Sequence, residues 1–152
     1  MKPLQNWFDE YAISHQNKTN QTIHLICVPA IYFSIIGLFM SINSTFLQKN
    51  IGLSNPLIEN WGTLILIPIL AFYLRLSFKT FLRMFLFSAL CILGNYYLGK
   101  QVPLLYASLI IFAIAWVGQF YGHHIEGKKP SFFKDLQFLL IGPPWVFKKM
   151  FK

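Results

Sequence analysis

The stretch QVPLLYASLIIFAIAWVGQFYGHHI, residues 101–125, contains no Asp, Glu, Lys or Arg. Residues 19–48, 60–74 and 84–99 also lack these four residue types. A helical membrane span requires about 20 apolar residues. Because 55% of the 152 residues are hydrophobic and only 12% are charged, the composition is outside that of a soluble domain. We therefore predict an all-α, integral membrane helical bundle with about four transmembrane helices.

The predicted organisation is a single membrane domain over residues 1–152. Trp7, Phe8 and Tyr11 recur at helical spacing, so residues 1–22 are expected to form an interfacial helical lead. Residues 23–121 are expected to form the four-span bundle, and residues 122–152 a cytosolic-face site and an interfacial C-terminal helix. Gly142-Pro143-Pro144 is expected to break this tail.

The expected spans cover residues 23–42, 61–76, 82–98 and 104–121, with Pro29 near the start of the first. The two middle spans are short for a bilayer. They require extension by the snorkelling side chains of Arg75, Lys79 and Arg83, or they form a shallower hairpin. The longest outside loop is expected at residues 43–60.

The distribution of basic residues predicts the orientation. Of the 13 Lys and Arg residues, only Lys49 and Lys100 fall outside if the N-terminus is cytosolic. Both termini are therefore expected in the cytosol, across the inner membrane of a bacterium or the endoplasmic reticulum of a eukaryote. The net charge of +8 is explained by this topology, and no basic patch indicates a nucleic-acid partner.

All four histidines flank the cytosolic ends of the first and fourth spans. This arrangement favours a metal site whose ligands come from different helices, although interfacial histidines also tolerate both phases without a metal. His15 and His24 lie nine positions apart, which places them on opposite faces of one continuous helix. A shared site therefore requires a break between them, and the polar run from Asn17 to Asn20 supplies one.

His123 and His124 are adjacent and cannot point the same way on a helix. Gln119, His123 and Glu126 share one helical stripe, so His123 is the better metal ligand and His124 the spare. Glu126 and Gln119 are the candidate catalytic residues of this stripe. Glu126 is alternatively a metal ligand, a partner that orients an imidazole, or a helix-end acid paired with Lys128 or Lys129. A set of histidines without thiolates suits iron(II), zinc or manganese.

Two motifs carry a resemblance to a known family: YAISHQNKTNQTIHLICVP, residues 11–29, and QFYGHHIEGKKP, residues 119–130. Together they resemble the small membrane family of 2-hydroxy fatty acid dioxygenases, and the apolar spans and basic tail extend the resemblance over nearly the whole chain. His15, His24 and His123 match the family's histidines.

The resemblance implies an iron(II)-dependent dioxygenase that shortens a 2-hydroxy fatty acid by one carbon, in fatty acid α-oxidation. The implied cofactor is Fe²⁺, and the implied partners are a long-chain 2-hydroxy fatty acid, molecular oxygen and membrane lipid. Lys128, Lys129 or Arg83 are candidates to hold the substrate carboxylate, although orientation signalling also explains these residues.

Two rival functions are a membrane transporter or assembly factor, and a zinc-dependent lipid hydrolase. A transporter requires polar groups at mid-span, whereas the spans are apolar apart from Ser34, Ser88, Asn95 and Ser108. Metal analysis distinguishes zinc from iron, and oxygen uptake distinguishes oxidation from hydrolysis.

The orientation is testable by cysteine accessibility. Single cysteines at positions 18 and 129 should react with an impermeant thiol reagent from the same side of the membrane, because both positions belong to the cytosolic set of basic residues. Labelling from opposite sides would contradict the topology.

Overall fold

The computed structural model describes residues 3–13, 15–127 and 132–150. These residues form seven helices and no strand: α1 (Leu4–Ile13), α2 (Lys18–Met40), α3 (Thr45–Ile51), α4 (Trp61–Leu76), α5 (Phe78–Gln101), α6 (Leu104–Ile125) and α7 (Phe132–Met150). The all-helical prediction is confirmed. The chain divides into two compact units, a terminal unit of Met1–Tyr32 with Ala113–Lys152 and a central unit of Phe33–Phe112.

Three helices, α2, α5 and α6, are long and apolar enough to cross a membrane. The helix α4 is also apolar but has only 16 residues. Large apolar side chains lie on the outside of the long helices, with exposed fractions of 69% for Ile26, 66% for Leu90 and 67% for Ile114. Such a surface is costly in water and compatible with lipid, so these helices have the character of membrane spans.

The helix α2 begins earlier than the sequence predicts, at Lys18 rather than near residue 23. The reason is an unrecognised cap: the Asn17 side-chain oxygen accepts a hydrogen bond from the Thr19 backbone N–H at 2.8 Å. Pro29 therefore lies in the helix interior instead of near its start. A membrane helix tolerates a proline there when surrounding groups compensate for the missing donor.

The helices α4 and α5 pack against each other and are joined by Ser77 alone. Ser77 has an extended backbone and donates its N–H to the Tyr73 carbonyl at 3.0 Å, which ends α4. The expected gap between the second and third spans, residues 77–81, is therefore mostly helical, and Lys79 and Arg83 lie on α5 itself. This helix has 24 residues and is longer than the expected span of 82–98.

The expected outside loop at residues 43–60 contains the short helix α3, which the sequence analysis missed. The Asn43 side-chain oxygen accepts the Thr45 backbone N–H at 2.9 Å at the start of α3. Gly52 follows its last residue with a φ of 70°, a conformation that favours glycine.

The helix α7 continues through Gly142-Pro143-Pro144, so the predicted break is wrong. Each proline removes one backbone donor, which disfavours a helix in isolation. Burial of residues 141–146 and packing of α7 against α1 stabilise it here. A Cβ at Gly142 would lie 3.2 Å from the Tyr11 hydroxyl and 3.3 Å from a Val28 methyl, so glycine permits close packing of α7 in the terminal unit.

The central unit contains a buried polar contact between its helices. The Asn95 amide donates to the Phe33 carbonyl at 3.0 Å and to the Cys91 carbonyl at 2.9 Å. Asn95 and Ser108 are fully buried, and both side-chain oxygens lie against Gly37. Small residues with an interhelical amide bond are a common means of joining membrane helices.

Gly37→Ala should destabilise the protein because the new Cβ would approach the Asn95 and Ser108 oxygens more closely than van der Waals contact permits. Overpacking of this kind costs about 1–3 kcal/mol, measurable as a lower Tm in detergent. The matched control is Gly99→Ala on α5, where the nearest atom to the new Cβ would be 3.5 Å away. Equal Tm values for the two variants would contradict the close contact.

Candidate metal centre

Three histidines from separate segments of the terminal unit meet in its interior. His15 lies in the connection between α1 and α2, His24 in the second turn of α2, and His123 near the end of α6. One nitrogen from each ring lies within 4.8 Å of those of the other two. Their exposed fractions are 3%, 1% and 6%. Such a group of buried imidazoles can hold a metal ion.

The local chain path explains why His15 and His24 come together. The helix α1 ends at Ile13 and α2 begins at Lys18, so the break that the spacing of the two histidines requires is present. It lies slightly before the predicted position, because Lys18 to Asn20 are already helical. The ring centroids of His15 and His24 are 4.3 Å apart with planes at 82°.

Backbone carbonyls orient two of the rings. Nδ1 of His15 is 2.6 Å from the Tyr11 carbonyl oxygen, and Nδ1 of His24 is 2.9 Å from the Asn20 carbonyl oxygen. A carbonyl oxygen only accepts, so both Nδ1 atoms carry the proton and both Nε2 atoms carry the lone pair. Metal-binding histidines are commonly oriented in this way. Nε2 of His24 is buried and has no hydrogen-bond partner in the described part of the chain.

Aromatic side chains cover the His15 ring. Tyr11 stacks on it with centroids 4.0 Å apart and planes at 7°. Trp145 of α7 lies 5.6 Å from the His15 centroid and 5.0 Å from that of Tyr11. These rings restrict the rotation of His15 and remove water from its faces. The sequence analysis placed Trp145 in an interfacial tail and missed this contact, which depends on how α7 packs.

Glu126 holds the connection that carries His15. One carboxylate oxygen accepts the Gln16 backbone N–H at 2.8 Å. The other accepts the Asn17 backbone N–H and the Asn20 side-chain amide, each at 3.0 Å. Burial acts to raise the pKa of Glu126, but the hydrogen bonds from Asn20 and the two backbone groups outweigh it, so this pKa is lowered. The carboxylate therefore stays ionised at neutral pH and anchors the loop.

Gly122 permits α6 to approach α2 beside the histidines. A Cβ at this position would collide with the Asn20 side-chain oxygen and would lie 3.3 Å from Cε1 of His24. Any larger residue would therefore push His123 away from His24, whose centroids are now 5.0 Å apart. In the sequence, a glycine directly before His123 indicates close helix packing at this point. That the packing partner is Asn20 of α2 is apparent only from the structure.

The remaining predicted site residues are not members of the three-histidine group or are outside the described residues. His124 is exposed, and Gln119 is buried one turn before His123 on α6. Arg83 is on α5 in the central unit. Lys128 and Lys129 are outside the described residues. The three-histidine group contains neither Glu126 nor His124.

These features define a class: small helical proteins with membrane-type spans and a buried histidine centre able to hold a metal ion. The chain belongs to the 2-hydroxy-palmitic acid dioxygenase Mpo1-like family, whose sequence model matches residues 1–152. A comparison with curated proteins found no match, and neither did a comparison with solved structures.

Replacing His15, His24 or His123 with Ala should each remove bound metal, measured by elemental analysis of protein purified after iron loading. Changes to groups that merely orient a ligand reduce metal affinity about 10–100-fold, so loss of a ligand should cost more. His124→Ala is the matched control and should retain its metal because this residue is exposed. Circular dichroism should show unchanged helix content. Full metal content in the His123 variant would contradict the assignment.

Proposed function

We propose that this protein is an iron(II)-dependent dioxygenase that shortens 2-hydroxy fatty acids by one carbon. The observation that carries the proposal is the three-histidine group, with its nitrogens within 4.8 Å and two rings oriented through Nδ1. The family supports the substrate class, since its description is 2-hydroxy-palmitic acid dioxygenase Mpo1-like. His15, His24 and His123 are the proposed iron ligands.

The donor set fits iron(II). Converging nitrogen lone pairs in a buried site are unfavourable without a compensating partner, and a divalent cation supplies one. Three neutral imidazoles leave coordination positions open, as an oxygenase centre requires for oxygen and a chelating substrate. Iron(II) supplies the redox chemistry that activates oxygen when it is bound, whereas zinc has none.

The protein's own residues hold, orient and shield this centre. The Tyr11 and Asn20 carbonyls keep Nδ1 protonated in His15 and His24, so that Nε2 faces the site. Tyr11 and Trp145 exclude water from His15. Glu126 acts as a positioning residue through the loop that carries His15. Gln119 stays a candidate catalytic residue, one helical turn from His123.

A 2-hydroxy acid suits this location because it presents two oxygen groups at one end of an apolar chain. The carboxylate and hydroxyl can chelate a metal at the histidines while the acyl chain stays among apolar helices. In balanced form, a 2-hydroxy acid and O₂ give the acid one carbon shorter, carbon dioxide and water. Without a 2-hydroxyl group, a fatty acid cannot chelate in this way.

We also propose that α4 is a fourth span and that both termini face the cytosol. Its apolar composition supports the span, since Arg75 is the only charged residue in α4. Its short length is compatible with a hairpin with α5, against which it packs. The side on which Lys and Arg concentrate supports the orientation. On this topology the histidine centre lies at the cytosolic face.

The reaction is tested with iron-loaded protein and 2-hydroxypalmitate. We expect oxygen uptake and release of the acid one carbon shorter, and no turnover of palmitate, because it lacks the second chelating oxygen. Zinc-loaded protein should be inactive. Equal activity with zinc, or a hydrolytic product formed without oxygen, would instead indicate a lipid hydrolase. Absence of both reactions, with metal still bound, would favour a transport or assembly role.

A further inference from the structure

His15 is the one member of the three-histidine group that does not lie on a helix. His24 belongs to α2 and His123 to α6, so helical backbone bonds fix the positions from which their rings project. His15 belongs to the connection between α1 and α2, where residues 15–17 are not helical. Its position therefore depends on the bonds that this connection makes with other segments of the terminal unit.

The peptide unit between His15 and Gln16 is hydrogen-bonded at both of its edges. Its carbonyl, on His15, accepts the side-chain amide of Gln21 at 2.5 Å. Its N–H, on Gln16, donates to a carboxylate oxygen of Glu126 at 2.8 Å. Because a peptide unit is planar, two bonds at opposite edges fix both its position and its tilt. The chain at His15 is thus held by α2 from one side and by the residue that follows α6 from the other.

Each of these two bonds connects His15 to a segment that carries another histidine. Gln21 lies three residues before His24 on α2, on the same side of that helix. Glu126 lies three residues after His123. The bonds of the His15 N–H and of its ring Nδ1 lead to α1 instead. Gln21 and Glu126 therefore set the position of His15 relative to the two other rings.

The side-chain amide of Gln21 has one orientation that satisfies both of its neighbours. The His15 carbonyl only accepts, so it requires the NH₂ group of the amide. The Lys149 ammonium only donates, and it donates to the Gln21 side-chain oxygen. The contact with Lys149 therefore keeps the amide from turning its oxygen toward the His15 carbonyl.

We propose that Gln21 is a positioning residue of the metal centre, which together with Glu126 sets His15 where it can share a metal ion with His24 and His123. The inference rests on the proposed function, since it concerns the same three ligands. Gln21 acts through the backbone of His15 and not through its ring. One amide–carbonyl bond adds little to the stability of a whole chain, so its loss should affect the centre more than the fold.

The test variant is Gln21→Met, which nearly keeps the size of the side chain and removes its hydrogen-bonding groups. Its affinity for Fe²⁺, measured by anaerobic titration against a chromogenic chelator, should fall about 10-fold, the lower end of the loss that follows removal of a group orienting a metal ligand. The Tm of the metal-free variant in detergent should stay close to that of the wild type.

The matched control is Gln5→Met. Gln5 also accepts a lysine ammonium, that of Lys148 at 3.0 Å, but its amide donates to the Asp9 carboxylate at 2.7 Å within α1. The affinity of this control for Fe²⁺ should equal that of the wild type.

A second measurement, on metal-free protein, separates positioning from general loosening of the terminal unit. In Gln21→Met, the backbone N–H of Gln16 should exchange faster with solvent, because the peptide unit that contains it is held at one edge only. The backbone N–H of His24, inside α2, should exchange as in the wild type. Nuclear magnetic resonance of ¹⁵N-labelled protein in detergent measures both rates.

Equal affinity of Gln21→Met and the wild type for Fe²⁺ would overturn the inference, and so would an equal loss in Gln5→Met. Faster exchange at both Gln16 and His24 would overturn it too, because the effect would then be one of general stability. If Gln21→Met behaves as expected but iron-loaded wild-type protein consumes no oxygen with 2-hydroxypalmitate, the proposed reaction fails and the positioning role stands.

Discussion

The imidazole rings of His15, His24 and His123 are buried together, and the surrounding residues hold one nitrogen of each ring close to those of the other two. In such an interior an unsatisfied polar atom costs about 1–3 kcal/mol, so each ring nitrogen needs a defined partner. The Tyr11 and Asn20 carbonyls accept hydrogen bonds from the Nδ1–H groups of His15 and His24. The Nε2 atoms of the two rings therefore carry lone pairs, and a lone pair is what binds a cation.

Glu126 and Gly122 position the backbone segments that carry the histidines and do not orient the rings directly. Glu126 binds the loop at Gln16 and Asn17, and Asn20 joins this carboxylate to α2. Gly122 sets how closely α6 approaches α2. A loop, two helices and one carboxylate thus determine three side-chain positions. The need to fix the loop explains why the partly exposed carboxylate of Glu126 accepts three hydrogen bonds without being part of the histidine group.

The sequence was informative where a signal is local. Uncharged stretches predicted the long helices, and the spacing of His15 and His24 required the break between α1 and α2. The faces of α6 distinguished His123 from His124. The roles of Trp145 and Glu126 were not predictable, because each depends on packing between distant segments. The Gly142-Pro143-Pro144 run was misread for the same reason: local propensity disfavours a helix, and burial in the terminal unit outweighs it.

The terminal unit joins residues 1–32 to residues 113–152, with α1 packed on α7. During synthesis, His15 and His24 emerge long before His123, and Trp145 of α7, which covers His15, emerges after all three. The helices α3, α4 and α5 are therefore synthesised after His15 and His24 but before His123, the third histidine of the group. Assembly of the three-histidine group is consequently a late, long-range step that depends on completion of the fold rather than on any local segment.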